Sequence, residues 1–413
     1  MKTLKTIVSA AALTLSASAM AQSQPFDYNV DRFADIEVLR YQVPDFESLT
    51  LNQKRLVYYL TEAALWGRDI LWDQNYKYNL PLRQMIEGVY SNYSGDRNSA
   101  DFKAFENYLK QVEFANGIHH HYSMDKFTPG FSREWLEAEV AKLGQGAWTP
   151  VQTEVMAAIF DPSVAAKRVN QAEGEDLILT SANNLYEGVT QQEVEDFYAA
   201  KKDPNDATPV SYGLNARVTK KDGKVVEQIY KLDGLYSEAI ARIVENLAKA
   251  MAYAENDNQR MTIARLIDYY TTGDLATFDD YSIRWTEDTA SQVDFINGFI
   301  ESYGDPLGMT GSWESIVNFK NIPASHRTEV LSQNAQWFEN NSPVDPRFRK
   351  EAVKGVSAKV ITAAILAGDS YPSTPIGINL PNANWIRAAH GSKSVTLENI
   401  TQAYDLSLIH ISE

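Results

Sequence analysis

Cysteine is absent from the chain. That absence excludes disulfides, a thiol nucleophile and a lipid-anchored amino-terminal cysteine. Beyond the leader, no apolar run reaches the length of a membrane span. Positive charge is scarce: Lys and Arg total 38 against 54 Asp and Glu. A face that binds nucleic-acid phosphates needs the opposite balance, so nucleic acid is excluded as a partner. An acidic surface suits cationic ligands, among them peptides with free ammonium termini. Histidine is also rare, with six residues in all, and none is followed by Glu, so no His-Glu-x-x-His helix is present. There is no Gly-rich phosphate loop and no Gly-x-Ser-x-Gly elbow either.

What is present begins with a leader. Lys2 and Lys5 precede the short apolar stretch "IVSAAALTLSA", and Ala19-Met20-Ala21 forms a small-residue cleavage site before Gln22. The expectation is a signal peptide over residues 1–21 and export, most simply to the periplasm. The mature chain reads first as helices. "LTLNQKRLVYYLTEAALWGRDILWDQ" carries apolar residues near helical spacing, with Ser48 or Thr50 as its cap. "LPLRQMIEGVYSNY", "SADFKAFENYLKQVEFANG" and "SREWLEAEVAKLG" follow, the last capped by Ser132. Thr190 and Glu193 form a capping box that starts another helix. "PVSYGLNARVTKKDGKVVEQIYKL" then alternates around Asp222-Gly223, the pattern of a β-hairpin. Helices return from Tyr236 to Tyr270. "GVSAKVITAAILAGD" and "STPIGINLPN" read mostly as buried strands. Helices around a modest sheet predict an α+β fold.

Three stretches can carry chemistry. In "NGFIESYGDPLGM", Glu301 and Tyr303 end an apolar, helix-like run before a Gly-Asp-Pro turn. A carboxylate there can hold a cation, and a phenol can donate to a developing oxyanion. The same pattern fits a solvated Glu and an amphipathic Tyr at an element's end. "GINLPNANW" places Asn379, Asn382 and Asn384 close together. Asparagines can bind extended peptide backbone or an ammonium group, or simply favour a turn. "GIHHHYSMDKF" holds His119, His120 and His121. Adjacent side chains diverge, so the triplet reads less as a metal site than as one histidine lining a pocket.

Together "GFIESYGDPLG", "GINLPN", "NGIHHHYSMDKFTPG" and "NLYEGVT" give the chain a resemblance to the dipeptidyl peptidase III family in its Bacteroidetes-like bacterial form. The resemblance runs from about Phe26 to Tyr404. It implies a two-lobed fold, with a lower lobe built on a β-barrel facing a helical upper lobe across a cleft. It also implies a zinc-dependent hydrolase that releases dipeptides from the amino terminus of oligopeptides. On that likeness Glu301 takes the substrate ammonium, Asn379 and Asn382 hold the terminus and first residues, and Tyr303 hydrogen-bonds the scissile carbonyl. His121 and Tyr122 line the cleft, His121 departing in type from animal members. Asp305 and Pro306 belong to the structural turn.

The resemblance divides the chain into lower lobe over residues 22–321, an upper-lobe excursion over 322–362, and lower-lobe strands with the substrate clamp over 363–405. The family's zinc-binding helix carries His-Glu-x-x-x-His, and a second helix supplies a Glu ligand, both beyond the segment matching "KSVTLENITQAY". Here "DLSLIHISE" follows instead. Residues 406–413 read as a non-native, adapter-derived tail, so the Zn2+ ligands of the complete protein are expected to be missing and the chain to be inactive by itself. The alternative function is a non-catalytic periplasmic peptide-binding module. A glycosidase ranks below both, because it needs paired carboxylates and the sequence pairs Glu301 with no second acid.

Overall fold

The computed structural model describes residues 26–353, 356–372 and 374–409. The expected signal peptide and residues 410–413 of the expected foreign tail lie outside these.

The chain opens with a two-stranded ribbon, β1 (Asn29–Phe33) and β2 (Ile36–Leu39). Helices α1 (Leu51–Trp66), α2 (Arg68–Asn75), α3 (Asn79–Asn92), α4 (Ala100–Ala115), α5 (Arg133–Val140) and α6 (Gln152–Phe160) follow. Thr50 caps α1 through a capping box with Gln53. The long run read as one helix divides at Gly67. A Cβ there would lie 2.0 Å from the Trp313 ring, so only glycine lets the chain pass that indole. Ser99 and Ser132 cap α4 and α5 as their hydroxyls accept backbone N–H bonds.

A short strand, β3 (Tyr186–Glu187), and helix α7 (Gln191–Ala199) precede the hairpin β4 (Ala216–Lys221) and β5 (Lys224–Ile229). Thr190 and Glu193 form the predicted capping box of α7. Asp222 and Gly223 both take positive φ, the geometry a two-residue hairpin turn requires. Helices α8 (Ser237–Met251), α9 (Asp257–Thr272) and α10 (Leu275–Glu287) then lead into β6 (Val293–Glu301) and β7 (Ser312–Lys320). Next come α11 (Ile322–Gln333), α12 (Ala335–Asn341), β8 (Val356–Gly368), β9 (Gly377–Leu380), α13 (Asn384–His390), β10 (Ser392–Leu397) and α14 (Glu398–Ile409). The backbone of residues 406–409 continues α14.

The main sheet has the order β6-β7-β8-β10-β9, with β8 and β10 parallel and the other pairs antiparallel. It is open. β6 pairs only with β7 and β9 only with β10, so the expected closed barrel does not form among the described residues. The mixed α+β class holds.

Two large apolar cores sit side by side. One buries the sheet against α1, α8, α9 and α10, with Trp313 and Phe299 fully covered. The other is helical, formed by α2 to α6 around Leu82, Phe105 and Val112. "FINGFIE" is strand rather than the expected helix end: β6 is apolar on both faces because helices cover one side and chain segments the other. A continuous apolar run of this length does not distinguish a buried strand from a helix.

Candidate functional site

The open edges β6 and β9 end at one cleft. β6 carries a bulge between Phe299 and Glu301 opposite Trp313 and Ser312. A bulge bends the strand and re-aims its last side chains. Ile300 turns to one side of the sheet and Glu301 to the other, into a cleft of about 720 Å³. On the far edge β9 presents Asn379, whose Oδ1 accepts from Ser394 of β10 at 3.3 Å. The chain then turns through Pro381 and brings Asn382 back across the gap. Its amide donates to Glu301 Oε2 at 3.3 Å and reaches the Ile300 carbonyl at 3.5 Å.

Glu301, Tyr303, Asn379, Asn382, His121 and Tyr122 all line this cleft. Tyr303 stands 78% exposed on the turn after β6. Asn384 does not join them; it begins α13 and borders a different hollow. The three histidines do not converge on one point: His119 turns into the interior, while the His120 and His121 rings stack on each other. Buried His119 points its Nε2 at the Ala165 carbonyl at 2.8 Å. His120 Nδ1 accepts from the Tyr122 and Ser123 amides. Only His121 reaches the cleft, stacked on His120 at 4.4 Å and edge-on to Phe114. Burial and the neighbouring His120 hold its imidazole down at about 4, so at neutral pH it faces the cleft uncharged.

Four charged residues of the cleft escaped the sequence reading: Glu314, Asp369, Arg168 and Arg387. Glu314 sits in β7, opposite Gly298 on one side and Gly368 on the other. It is buried, and no described residue hydrogen-bonds or ion-pairs with its carboxylate. Asp369 follows Gly368, which takes φ +65 and whose Cβ, if it had one, would meet the Trp313 carbonyl at 2.2 Å. That glycine lets β8 end in a sharp turn that sets Asp369 at the cleft. Arg168 is buried and held by Asn75 Oδ1 at 2.8 Å and by the Met124 sulfur. Among the described residues no carboxylate pairs with it; Asp369 acts on its charge from a distance.

The absence of any second acid near Glu301 is therefore corrected. Glu314 and Asp369 arrive from other strands, so no local pattern pairs them with Glu301. A lone acid inside the apolar run "SWESIVNF" is the signal that would have found Glu314.

Burial raises the carboxyls of all three acids. Asp369 pushes Glu301 and Glu314 further up, Asn382 pulls Glu301 back, and Arg168 pulls Asp369 back. Such a floor resists ionisation until a cation enters. A cation entering the cleft would favour the ionised form of these carboxyls, while Arg168 and Arg387 in the same lining oppose one.

Peptidase family M49 matches residues 179–411, more than half of the 413 residues. Dipeptidyl peptidase 3 of Dictyostelium discoideum is 34% identical over 185 residues, 44% of this chain and 26% of that protein. Its Homo sapiens counterpart is 33% identical over 167 residues, 40% of this chain and 22% of that one. The chain thus spans about a quarter of the length of these relatives. Two solved structures share the fold. DPP III from Caldithrix abyssi superposes with a TM-score of 0.62 at 19% identity, over 87% of this chain and 57% of that one. DPP III from Corallococcus sp. strain EGB superposes with a TM-score of 0.63 at 19% identity, over 88% and 57%.

Proposed function

The chain belongs to peptidase family M49, the dipeptidyl peptidase III family, and from that premise we propose that its cleft grips the free amino terminus of an oligopeptide. The complete protein is then a hydrolase that releases dipeptides from that terminus, exported to the periplasm by the leader. The observation that carries the reading is convergence. Glu301, Tyr303, Asn379 and Asn382, distant in sequence, share one cleft with two further acids, Glu314 and Asp369.

The physical logic is one of measurement. An enzyme that removes two residues has to fix the terminus at a set distance from the bond it cuts. Glu301 supplies opposite charge for the ammonium, while Asn379 and Asn382 supply directional bonds to the terminus and first residues. Tyr303 stands where an exposed phenol can donate to a carbonyl as it becomes tetrahedral. Neutral His121 and the Tyr122 ring form a wall that adds no charge to compete with the terminus.

Zinc in such a protein polarises the carbonyl and activates water. Among the described residues no group of three or more His, Cys, Asp or Glu side chains could hold a metal ion. The described residues therefore do not fit zinc. In this reading the described residues supply the grip for the substrate, an oligopeptide. The second reading for the chain by itself is a peptide-binding module without turnover.

Calorimetric titration tests the grip. An oligopeptide with a free amino terminus should bind, and its N-acetylated twin should bind at least about tenfold more weakly. Equal affinity would remove the ammonium from the reading. A dipeptidyl-arylamide assay with added zinc tests the rest: stoichiometric tight zinc and turnover by this chain would overturn its proposed inactivity.

A further inference from the structure

Behind the clamp, on the opposite side of the sheet, lies a second and smaller cavity. Phe278, Tyr281 and Trp285 of α10 form one wall, and Ile296 and Ile300 of β6 with Leu380 form the other. Its volume is about 60 Å³. Asp279 enters this apolar lining. The helix that carries it has two adjacent acids with opposite fates. Asp280 faces outward and pairs with Arg265 at 2.8 Å and with Arg284. Asp279 faces inward, is only 8% exposed, and has no hydrogen-bond or ion-pair partner among the described residues. Burial and nearby Asp274 push its carboxyl up to about 7.

An unpaired carboxyl in an apolar wall costs stability unless something binds it. No hydrogen bond within the described residues offsets that cost, although Ser211 and Ser282 line the same cavity. We propose that the cavity is a second ligand site that takes the head of a compact aliphatic primary ammonium against Asp279. The chemistry is complementary on each count. The carboxylate meets the positive charge, the Tyr281 ring can add cation–π attraction, and the aliphatic walls take the first methylenes; the Trp285 ring already carries the Lys393 ammonium at 4.3 Å. The volume excludes a bulky ring but admits an alkyl head whose tail leaves by the mouth. This site does not depend on the peptide reading of the cleft, although Asn382 borders both spaces.

The test uses this chain with n-butylammonium and its neutral counterpart 1-butanol, followed by the indole resonance of Trp285. The amine should shift that resonance and bind at least about tenfold more tightly than the alcohol. Asp279→Asn should abolish the preference while circular dichroism stays unchanged. Glu301→Gln, which disables the ammonium site proposed for the cleft, should leave the preference intact. Equal binding of amine and alcohol, or no binding by either, overturns the proposal. So does binding that survives Asp279→Asn and disappears with Glu301→Gln, since the amine would then sit in the cleft.

Discussion

Two regions only a few residues apart use buried acid in opposite ways. The turn after β6 centres on Asp305, 2% exposed, whose Oδ1 accepts from the Leu307 amide. Its Oδ2 accepts from the Met309 and Thr310 amides and from the Tyr186 hydroxyl at 2.7 Å. The cleft floor beside it holds Glu301 with one long amide contact and Glu314 with none among the described residues. The turn has satisfied its carboxylate internally and can do nothing with it except hold shape. The floor has left its carboxylates unsatisfied, which costs stability and leaves capacity for a ligand. Acid with internal partners supports the scaffold here, and acid without them marks the site.

The comparison breaks most visibly at the turn. Asp305→Ala should lose on the order of 4 kcal/mol of unfolding free energy, because it strands the three amides and the Tyr186 phenol in a dry interior. Asp305→Asn should lose nearly as much, since an amide nitrogen would face other donors whichever way it is flipped. Denaturant unfolding measures both, and a loss below about 1 kcal/mol would show that the turn does not depend on this carboxylate.

On the floor the balance should reverse. Glu301→Gln should leave stability within about 0.5 kcal/mol or raise it. It should cost about 3 kcal/mol of affinity for a free-terminus peptide, roughly a hundredfold in Kd. The N-acetylated peptide should hardly notice the change. A variant that loses stability but keeps its discrimination would place Glu301 with the turn rather than the site.

Glu314 sharpens the contrast through pH. Burial first, then Asp369 and Glu301, hold its carboxyl well above the ordinary glutamate range in the folded state. The folded protein therefore binds a proton that the unfolded chain has already released. The resulting stability is fully present below the ordinary glutamate value and is lost as pH rises through the folded value. Glu314→Gln, neutral at every pH, should remove that decline. Its thermal midpoint should exceed that of the parent by a margin that widens toward alkaline pH. A constant margin would mean that Glu314 is already paired.

These effects also mark what the sequence could reveal. Helix caps at Thr50, Ser132 and Thr190 and the Asp222-Gly223 turn were legible because each is set by chemistry within a few residues. Motif likeness singled out Glu301, Tyr303, Asn379 and Asn382, but no local pattern announced that they line one cleft. Glu314, Asp369 and Arg168 were not legible, because the open sheet brings them together from β7, the end of β8 and a loop before β3. The strand nature of β6 was hidden by its being buried on both faces, where the alternation that betrays a half-buried strand disappears. The barrel expected from likeness failed for a similar reason: closure depends on whether the edges β6 and β9 find partners, which no local pattern encodes.

The smallest effect tests the one donor the floor does have. Asn382 gives Glu301 a single long hydrogen bond, where Asp305 receives several short ones. Asn382→Ala should therefore cost peptide affinity only about 1 kcal/mol, the low end for a bond to a charged group. The loss should depend on pH in a defined sense. The Asn382 amide opposes the upward push of burial on the Glu301 carboxyl, so its removal lets that carboxyl rise further and stay protonated to higher pH. A protonated Glu301 cannot pair with an ammonium. The affinity gap between parent and variant should thus widen as pH falls into the range where the variant's carboxyl takes up its proton first, until both carboxyls are protonated and it closes again. Titration of a free-terminus peptide across that range measures it. A gap that does not move with pH would mean that Asn382 acts on the peptide alone and leaves the charge of Glu301 untouched.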